Sequence, residues 1–271
     1  MLISFWSTVN GQTATTTNTI AIALMTALEY RFKILLTHNH FERSTLETSL
    51  FEGRYIQSER RDLSDIGIDA LSRFIKFNKI DKENFSNYAT TILKNRMDVL
   101  FGTNKTNRGL FNSELEAVID IFLTSARDYY DLIFFDLAAG ENRLSNSILE
   151  ASDLIIVNLN QNLNLIEDFF NKHPISLSKA FFLIGIYDKD SRYNLKVLKR
   201  KYKELKNSAV VPYNREFADS CNEGRAVEFL LRNLEAPKDD RNYDFIKELR
   251  NTTKLLLSAT GVDIHLKKLG D

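Results

Sequence analysis

Hydroxyl side chains are concentrated just after the first apolar segment of the chain. Thr13, Thr15, Thr16 and Thr17 follow Gly11, in a stretch that comes after a short apolar run and opens a helical pattern. Such a loop is where backbone N–H groups can bind phosphate, because they point at the anion and the helix dipole favours its charge. The loop also needs glycines, a lysine to offset the charge and a hydroxyl to hold magnesium. Only Gly11 and the hydroxyls of Thr15 and Thr16 meet these needs.

Two histidines end a second apolar segment. His38 and His40 are two residues apart, so in a strand both side chains lie on the same face and could offer two imidazoles to zinc. A third ligand would have to come from His173, Cys221 or a carboxylate. Since two ligands do not make a site, we expect solvated or hydrogen-bonded histidines and no metal site. A metal-dependent enzyme built on these histidines is the third-ranked alternative.

Short apolar segments alternate with longer helical patterns along the chain. Runs that are apolar throughout are typical of parallel strands covered on both faces, and strand–helix alternation with right-handed crossovers gives a doubly wound fold. We therefore predict an α/β protein with a mostly parallel, seven-stranded sheet, helices on both faces, and a ligand site at the carboxyl ends of the strands. The predicted strands are Leu2–Trp6, Lys33–Leu36, Met97–Phe101, Leu132–Phe135, Leu154–Val157, Ala180–Gly185 and Ala209–Val211.

Two long parts of the chain have helical character. Residues 42–96 carry apolar side chains at helical spacing, which predicts a helical insert. Residues 215–259 are predicted to form C-terminal helices with a break at Pro237. Because neither an internal repeat nor a clear boundary divides the sequence, we predict one domain over residues 1–271.

The composition excludes several classes of protein and partner. The 271 residues include 36 basic and 36 acidic side chains, so no net charge directs the protein toward nucleic acid or acidic lipid. Nineteen phenylalanines and 44% hydrophobic residues can supply a large core. The single cysteine, Cys221, cannot form an intrachain disulfide, and the longest apolar stretch, Ile20–Leu28, is too short to cross a bilayer. We expect a cytoplasmic protein without a membrane span.

The loop after the first predicted strand resembles that of the ParA/MinD family of deviant Walker A ATPases. That family's loop reads roughly KGGxGKTT after a strand-terminal serine, here matched by Ser7. Gly11 then falls on the second glycine of the motif and Thr13 on the third. Val9 and Ala14 stand where the family has its signature lysine and its phosphate-binding lysine. The match therefore retains the hydroxyls of the motif and lacks both lysines.

Other segments continue this resemblance in order along the chain. Tyr130–Asp136 is similar to the strand that ends in the family's Walker B aspartate, Ile148–Val157 to the following helix and strand, and Val211–Arg215 to a late turn near the nucleotide base. Gly224–Val227 extends the similarity beyond that turn. The resemblance implies a residual nucleotide site formed by Gly11, Thr15, Thr16, Asp136 and Pro212.

The departures from the family pattern argue against catalysis. The family's Asp-x-Asp, whose acids position water and organise magnesium, is matched by His38 and His40, and Gly185 falls near its base-binding asparagine. Hydrolysis needs positioning and charge stabilisation together, so we expect no catalytic residues, no meaningful ATPase activity and no required cofactor. ATP with magnesium would bind weakly unless Lys33 or Lys105 reaches the phosphates from elsewhere.

The resemblance implies a dimeric scaffold or localisation factor. We predict a ParA/MinD-like pseudo-ATPase, closest in kind to the TadZ/CpaE branch that serves pilus or secretion machinery, with a homodimer interface around Gly11–Thr15, His38–His40 and Ala138–Asn142. The alternative is a nucleotide-switched, ParA-type partitioning ATPase that binds ATP and DNA. Lysines and arginines within Arg192–Lys206 could contact DNA nonspecifically, although an ordinary solvated helix face is the favoured interpretation.

Overall fold

A computed structural model describes residues 1–42, 44–53, 66–80, 85–172 and 178–268 of the chain. Eight strands form one sheet in the order β3-β4-β2-β5-β1-β6-β7-β8. Only the β3–β4 pair is antiparallel, and every other neighbouring pair is parallel. The strands are β1 (Leu2–Trp6), β2 (Ile34–His38), β3 (Thr90–Leu93), β4 (Met97–Val99), β5 (Leu132–Asp136), β6 (Leu154–Leu159), β7 (Ala180–Tyr187) and β8 (Ser208–Pro212).

Helices connect these strands and cover both faces of the sheet. Two short 3-10 helices, Phe85–Tyr88 and Lys203–Lys206, accompany them. The α-helices are α1 (Thr15–Glu29), α2 (Leu46–Leu50), α3 (Gly67–Phe77), α4 (Arg108–Glu116), α5 (Ile119–Tyr129), α6 (Arg143–Ala151), α7 (Leu163–Lys172), α8 (Leu195–Lys201), α9 (Arg215–Asn222), α10 (Ala226–Asn233), α11 (Tyr243–Ala259) and α12 (Ile264–Lys267). In the described part of the chain, none of these helices has the length and apolar character needed to cross a membrane.

Strand β1 lies at the centre of the sheet and fixes the register of its neighbours. It pairs with β5 on one side and β6 on the other, and all five of its residues are buried. Phe5 of β1 and His38 of β2 are both in register with Asp136 of β5. The carboxyl ends of these strands therefore meet at the same edge, where the loop after β1 also begins.

Helix α1 is buried along most of its length, from Asn18 to Ala27. Polar side chains in such a helix need hydrogen-bond partners, because an unpaired buried polar group is costly. The Thr26 hydroxyl donates to the carbonyl of Ile22 at 2.7 Å, and the Thr19 hydroxyl donates to the carbonyl of Thr15 at 2.8 Å. The helix can therefore lie inside the protein despite its threonines.

The predicted fold class is confirmed, but the predicted number of strands is wrong. The eighth strand is β3, a short edge strand within the 42–96 segment for which only helical structure was predicted. Thr90, Thr91 and Ile92 are β-branched and favour a strand, and Asn95 takes a left-handed conformation (φ 61°) in the turn to β4. Helices α2 and α3 occupy other parts of that segment, and residues 43, 54–65 and 81–84 lie outside the described residues.

The edge of the sheet at β8 is covered by α11. The Thr252 hydroxyl of α11 donates a 2.7 Å hydrogen bond to the carbonyl of Val210 in β8. Thr252 is fully buried, as are Leu249 and Leu256 on the same face of the helix. These contacts attach α11 to the last strand.

Gly185 in β7 lies against the loop that precedes α1. A Cβ atom at this position would lie 2.6 Å from both Asn18 Nδ2 and the Thr13 carbonyl oxygen, which is closer than real Cβ contacts. We expect Gly185→Ala to destabilise the protein by about 1 to 3 kcal/mol through overpacking, measured as a lower free energy of unfolding in urea.

A matched control for this substitution is Gly109→Ala in α4. Its added Cβ would meet only Asn107 Oδ1, at an ordinary 3.4 Å, and alanine favours a helix over glycine. The control should be neutral or slightly stabilising. Equal stability of Gly185→Ala and the wild type would show that the loop does not pack on β7 in this way.

Candidate functional site

The loop between β1 and α1 contains two residues in the left-handed region and ends at an uncapped helix terminus. Gly11 (φ 72°) and Ala14 (φ 54°) both take left-handed conformations, and Ala14 is the N-cap residue of α1. No side chain caps this end of the helix and its first turn contains no acidic residue. The N–H groups of the first turn have no partners within the helix, so they can face an anion here.

Side-chain amides hold the loop in place. Asn18 Nδ2 in α1 donates to the carbonyl of Thr13 at 3.1 Å and to Asn158 Oδ1 of β6 at 2.9 Å. Asn160 Nδ2, just after β6, donates to the carbonyl of Gln12 at 3.0 Å. Asn18 and Asn158 are buried. The loop therefore has a fixed path that is set by contacts within the protein.

Asp136 at the end of β5 is the chemical centre of the site. It is fully buried, and its Oδ2 accepts hydrogen bonds from Thr16 Oγ1 at 2.6 Å and from His40 Nε2 at 3.1 Å. Its Oδ1 is enclosed and has no hydrogen-bond partner among the described residues. Because Thr16 lies in the first turn of α1, the positive end of the helix dipole also acts on this carboxylate. The carboxylate is thus compensated by a hydroxyl, an imidazole and a helix terminus.

His38, the other histidine of this segment, belongs to a separate buried pair. His38 Nε2 lies 2.7 Å from Glu47 Oε1, and its Nδ1 accepts the backbone N–H of His40 at 3.1 Å. The Nδ1 contact places the proton on Nε2, which donates to Glu47. Glu47 also accepts the N–H of Gly102 at 2.9 Å. Burial alone would raise the pKa of Glu47, but the interaction with His38 outweighs it and lowers the pKa from 4.5 to about 2.

The loop after β5 is also fixed by hydrogen bonds. Asn39 accepts the N–H of Ala138 at 2.7 Å and donates to Ser145 Oγ at 2.9 Å. The N–H of Gly140 donates to the carbonyl of Ser7 at 2.9 Å. These contacts bring the β1, β2 and β5 loops together, so all three sequence segments that were predicted to form an interface share one edge of the sheet.

Lys33 and Lys105, the two lysines considered as phosphate ligands, make other contacts in the structure. The sequence contains no lysine or arginine before Arg31. Lys33 precedes β2 at the opposite end of the sheet, with its Nζ 3.2 Å from the centre of the Tyr129 ring. Lys105 Nζ is held by Asp69 at 2.9 Å and by Glu114 at 2.6 Å. The expectation that Lys33 or Lys105 could serve a phosphate group is therefore not supported by their positions.

Pro212 lines a cleft at the carboxyl ends of β7 and β8, with a volume of about 680 Å3. Ile186 on its wall has a left-handed backbone (φ 50°), which is strained for a β-branched residue. Ile186 and Tyr213 expose 47% and 62% of their surfaces. Lys189 and Asp244, both of the cleft lining, form a 3.3 Å ion pair.

The structure brings some of the predicted site residues together and separates others. Thr16 and Asp136 are in direct contact, whereas Thr15 Oγ1 pairs with Thr13 Oγ1 at 3.0 Å and Gly11 is exposed in the loop. Pro212 lines the cleft at the carboxyl ends of β7 and β8, and its place in a nucleotide site stays a prediction.

The metal alternative finds no support in the described part of the chain. No three His, Cys, Asp or Glu side chains of that part are grouped so that they could hold a metal ion. His173 lies outside the described residues, and Cys221 is buried with its thiol near Ser49. His38 and His40 instead bind separate carboxylates.

The segment that was considered for DNA contact forms α8 and the following 3-10 helix. Lys199 Nζ donates to the carbonyls of Lys206 and Ser208, each at 3.3 Å, and Lys201 Nζ lies 2.8 Å from Glu167 Oε1. These contacts are typical of a solvated helix face.

Sequence reasoning did not identify Asn18, Asn158, Asn160 or Glu47. Three of them are amides within or beside apolar elements, and a buried amide in an apolar run is the signal that could have indicated them. Glu47 carried no such local signal, because its partner His38 comes from another element.

Solved structures of ParA and MinD proteins share this fold. A ParA family ATPase from Chlorobium tepidum has a TM-score of 0.67 at 15% identity, over 93% of this chain and 98% of that one. A putative plasmid partition protein from Borrelia burgdorferi bound to AMPPNP has a TM-score of 0.64 at 17% identity, over 95% and 98%. The cell division ATPase MinD from Pyrococcus furiosus has a TM-score of 0.64 at 15% identity, over 95% and 98%.

These similarities define the architecture of the protein. It has the doubly wound fold of the ParA/MinD P-loop ATPases. No protein-family model matches the sequence, and no curated protein sequence matches it either. The function must therefore be argued from the site.

The buried His38–Glu47 pair should make stability depend on pH. The pKa of Glu47 is lower in the folded protein than in the unfolded chain. The stability that Glu47 contributes is therefore present above about pH 4.5 and is lost as the pH falls toward about 2. We expect Glu47→Gln to lower the free energy of unfolding at pH 7 by about 1 to 3 kcal/mol, through loss of a charge-assisted hydrogen bond. The difference from the wild type should shrink at pH 3, as measured by urea denaturation at both pH values.

The control is Glu52→Gln, which changes an exposed carboxylate on the same segment. Among the described residues, Glu52 pairs at the surface with Arg225 at 3.4 Å, and such pairs contribute little. A difference between Glu47→Gln and the wild type that is the same at pH 7 and pH 3 would contradict the assigned ionisation.

Proposed function

We propose that the protein is a ParA/MinD-like pseudo-ATPase that acts as a dimeric scaffold or localisation factor. The observation that carries this proposal is the loop itself, which keeps the turn and the helix terminus but has Val9 and Ala14 in place of cations. The partners that the resemblance suggests are components of pilus or secretion machinery, and this assignment is part of the proposal.

Loss of two cations has a large effect on polyphosphate affinity. A charge-assisted hydrogen bond contributes about 1.5 to 3 kcal/mol, so two lost contacts correspond to roughly 3 to 6 kcal/mol, or on the order of 100- to 10,000-fold in affinity. Backbone N–H groups and the α1 dipole would remain to face the phosphates. We infer that they do not compensate for charge of this size.

Hydrolysis would be affected further by the groups around Asp136. The Thr16 hydroxyl donates to Asp136, and the positions of the family's paired acids hold His38 and His40. His38 is committed to Glu47 and His40 to Asp136. The chain thus offers no free carboxylate at these positions to orient an attacking water.

A scaffold needs a surface that does not depend on nucleotide. The β1, β2 and β5 loops share one edge of the sheet, and Asn10, Gly11 and Gln12 are exposed at its front. The hydrogen bonds that hold these three loops give a preformed surface, which lowers the conformational entropy lost on association. We propose that protein contacts at this surface join two copies of the chain.

The first test is nucleotide binding. Calorimetry with ATP and magnesium should detect no binding at micromolar concentrations, and the purified protein should not turn over ATP above background. Val9→Lys combined with Ala14→Lys restores both ammonium groups and should raise ATP affinity by at least about tenfold. A double variant with lysines at the exposed positions Asn251 and Ala259 of α11 is the charge-matched control.

Tight ATP binding by the wild type, with turnover that is lost in Thr15→Ala, would contradict the pseudo-ATPase proposal. That result would favour the nucleotide-switched, DNA-binding ParA-type ATPase. The AMPPNP-bound partition protein from Borrelia burgdorferi shows that this fold can hold a nucleotide analogue in a relative of similar shape.

The second test is the mass of the protein in solution. Light scattering should give a dimer whose mass is the same with and without ATP, and Gln12→Arg should weaken the dimer by placing like charges in both copies of the interface. Asn251→Arg on the exposed face of α11 is the control and should leave the mass unchanged. A dimer that forms only when ATP is added would overturn the nucleotide-independent interface.

A further inference from the structure

The fold family implies a magnesium ion at the loop, and the donor set of this chain can be compared with what that ion needs. Magnesium prefers several oxygen ligands in octahedral geometry and keeps much of its water. Thr16 Oγ1 and Asp136 are oxygen donors of the right kind, and Asp136 Oδ1 lacks a partner among the described residues. The chemical type of these oxygen donors is therefore compatible with a cation.

The other features are not compatible with one. Asp136 Oδ1 is enclosed within the protein, and Oδ2 already accepts two hydrogen bonds, from Thr16 and His40. The Thr16 hydroxyl has its proton directed at that carboxylate over 2.6 Å. No second carboxylate is supplied from the end of β2, where His38 and His40 replace acids. The residues present do not fit magnesium.

We infer that His40 takes the place of the divalent cation at Asp136. Its Nε2 lies 3.1 Å from Asp136 Oδ2, and its side chain is only 23% exposed against a carboxylate that is fully buried. A buried carboxylate must be paired or hydrogen-bonded to be stable. The imidazole meets this need from within the chain, at the one carboxylate oxygen that also accepts the Thr16 hydroxyl.

With His40 in this role, Asp136 does not need a metal ion. The inference rests on the proposed function in one respect, because in both the loop no longer binds magnesium and nucleotide. The role of His40 is separate from the loss of the lysines, because it concerns Asp136 and can be tested with a metal ion alone. Aspartate at position 40 is shorter than histidine and would leave space between two carboxylates and the Thr16 hydroxyl.

The test uses Mn2+ as the probe, without nucleotide, and measures free Mn2+ by electron paramagnetic resonance. Wild-type protein should bind Mn2+ no better than its Asp136→Asn variant. His40→Asp should bind Mn2+ on the order of tenfold or more tightly than the wild type, because divalent affinity rises with the number of charged oxygen ligands. Adding Asp136→Asn to His40→Asp should abolish the gain.

The matched control is Asn251→Asp, which adds the same negative charge on an exposed part of α11 and should bind Mn2+ like the wild type. Circular dichroism checks that each variant is folded, and the wild-type comparison with Asp136→Asn tests the inference even if His40→Asp does not fold. Wild-type Mn2+ binding that Asp136→Asn removes would overturn it, as would a folded His40→Asp without any gain. Either outcome leaves the ATP measurements unchanged, so failure here is distinguishable from failure of the proposed function.

Discussion

The compensation of one buried carboxylate organises the functional edge of this protein. Asp136 has no exposed surface, so its charge must be balanced within the fold. Thr16 approaches it from the first turn of α1, and His40 approaches it from the residues after β2. Both approaches depend on the parallel register of β1, β2 and β5, which sets the three strand ends side by side. The path of the loop and the position of the helix follow from this arrangement.

Buried amides perform a second organising role. Asn18 joins the loop to β6, and Asn160 joins it to the segment beyond that strand. Neutral hydrogen bonds of this kind order a loop without supplying charge. The fold of ParA and MinD proteins is thus combined with a loop whose order comes from its own chain, and this combination connects the architecture to the scaffold proposal.

The architecture was predictable from the sequence because apolar runs and helical patterns alternate clearly. Edge strand β3 was missed because it is short and begins with two polar residues, Thr90 and Thr91, inside a segment dominated by helical spacing. In the site, the contact between Thr16 and Asp136 followed from the motif resemblance. The pairing of His38 with Glu47 could not be predicted, because it depends on how α2 packs against β2. Neither a motif nor the spacing of apolar residues indicates that packing. The contacts that hold Lys33 and Lys105 were likewise set by tertiary structure.

The cover of β8 by α11 has a consequence for how copies of the chain can assemble. Open sheet edges can add strands from neighbouring molecules, and such growth leads to filaments or aggregates. At β8 the Thr252 hydroxyl already occupies the carbonyl of Val210, and the helix lies across the strand. Sheet extension from this rim would require α11 to detach. A copy of the chain therefore cannot add a strand at β8 without breaking the contact between this helix and the sheet.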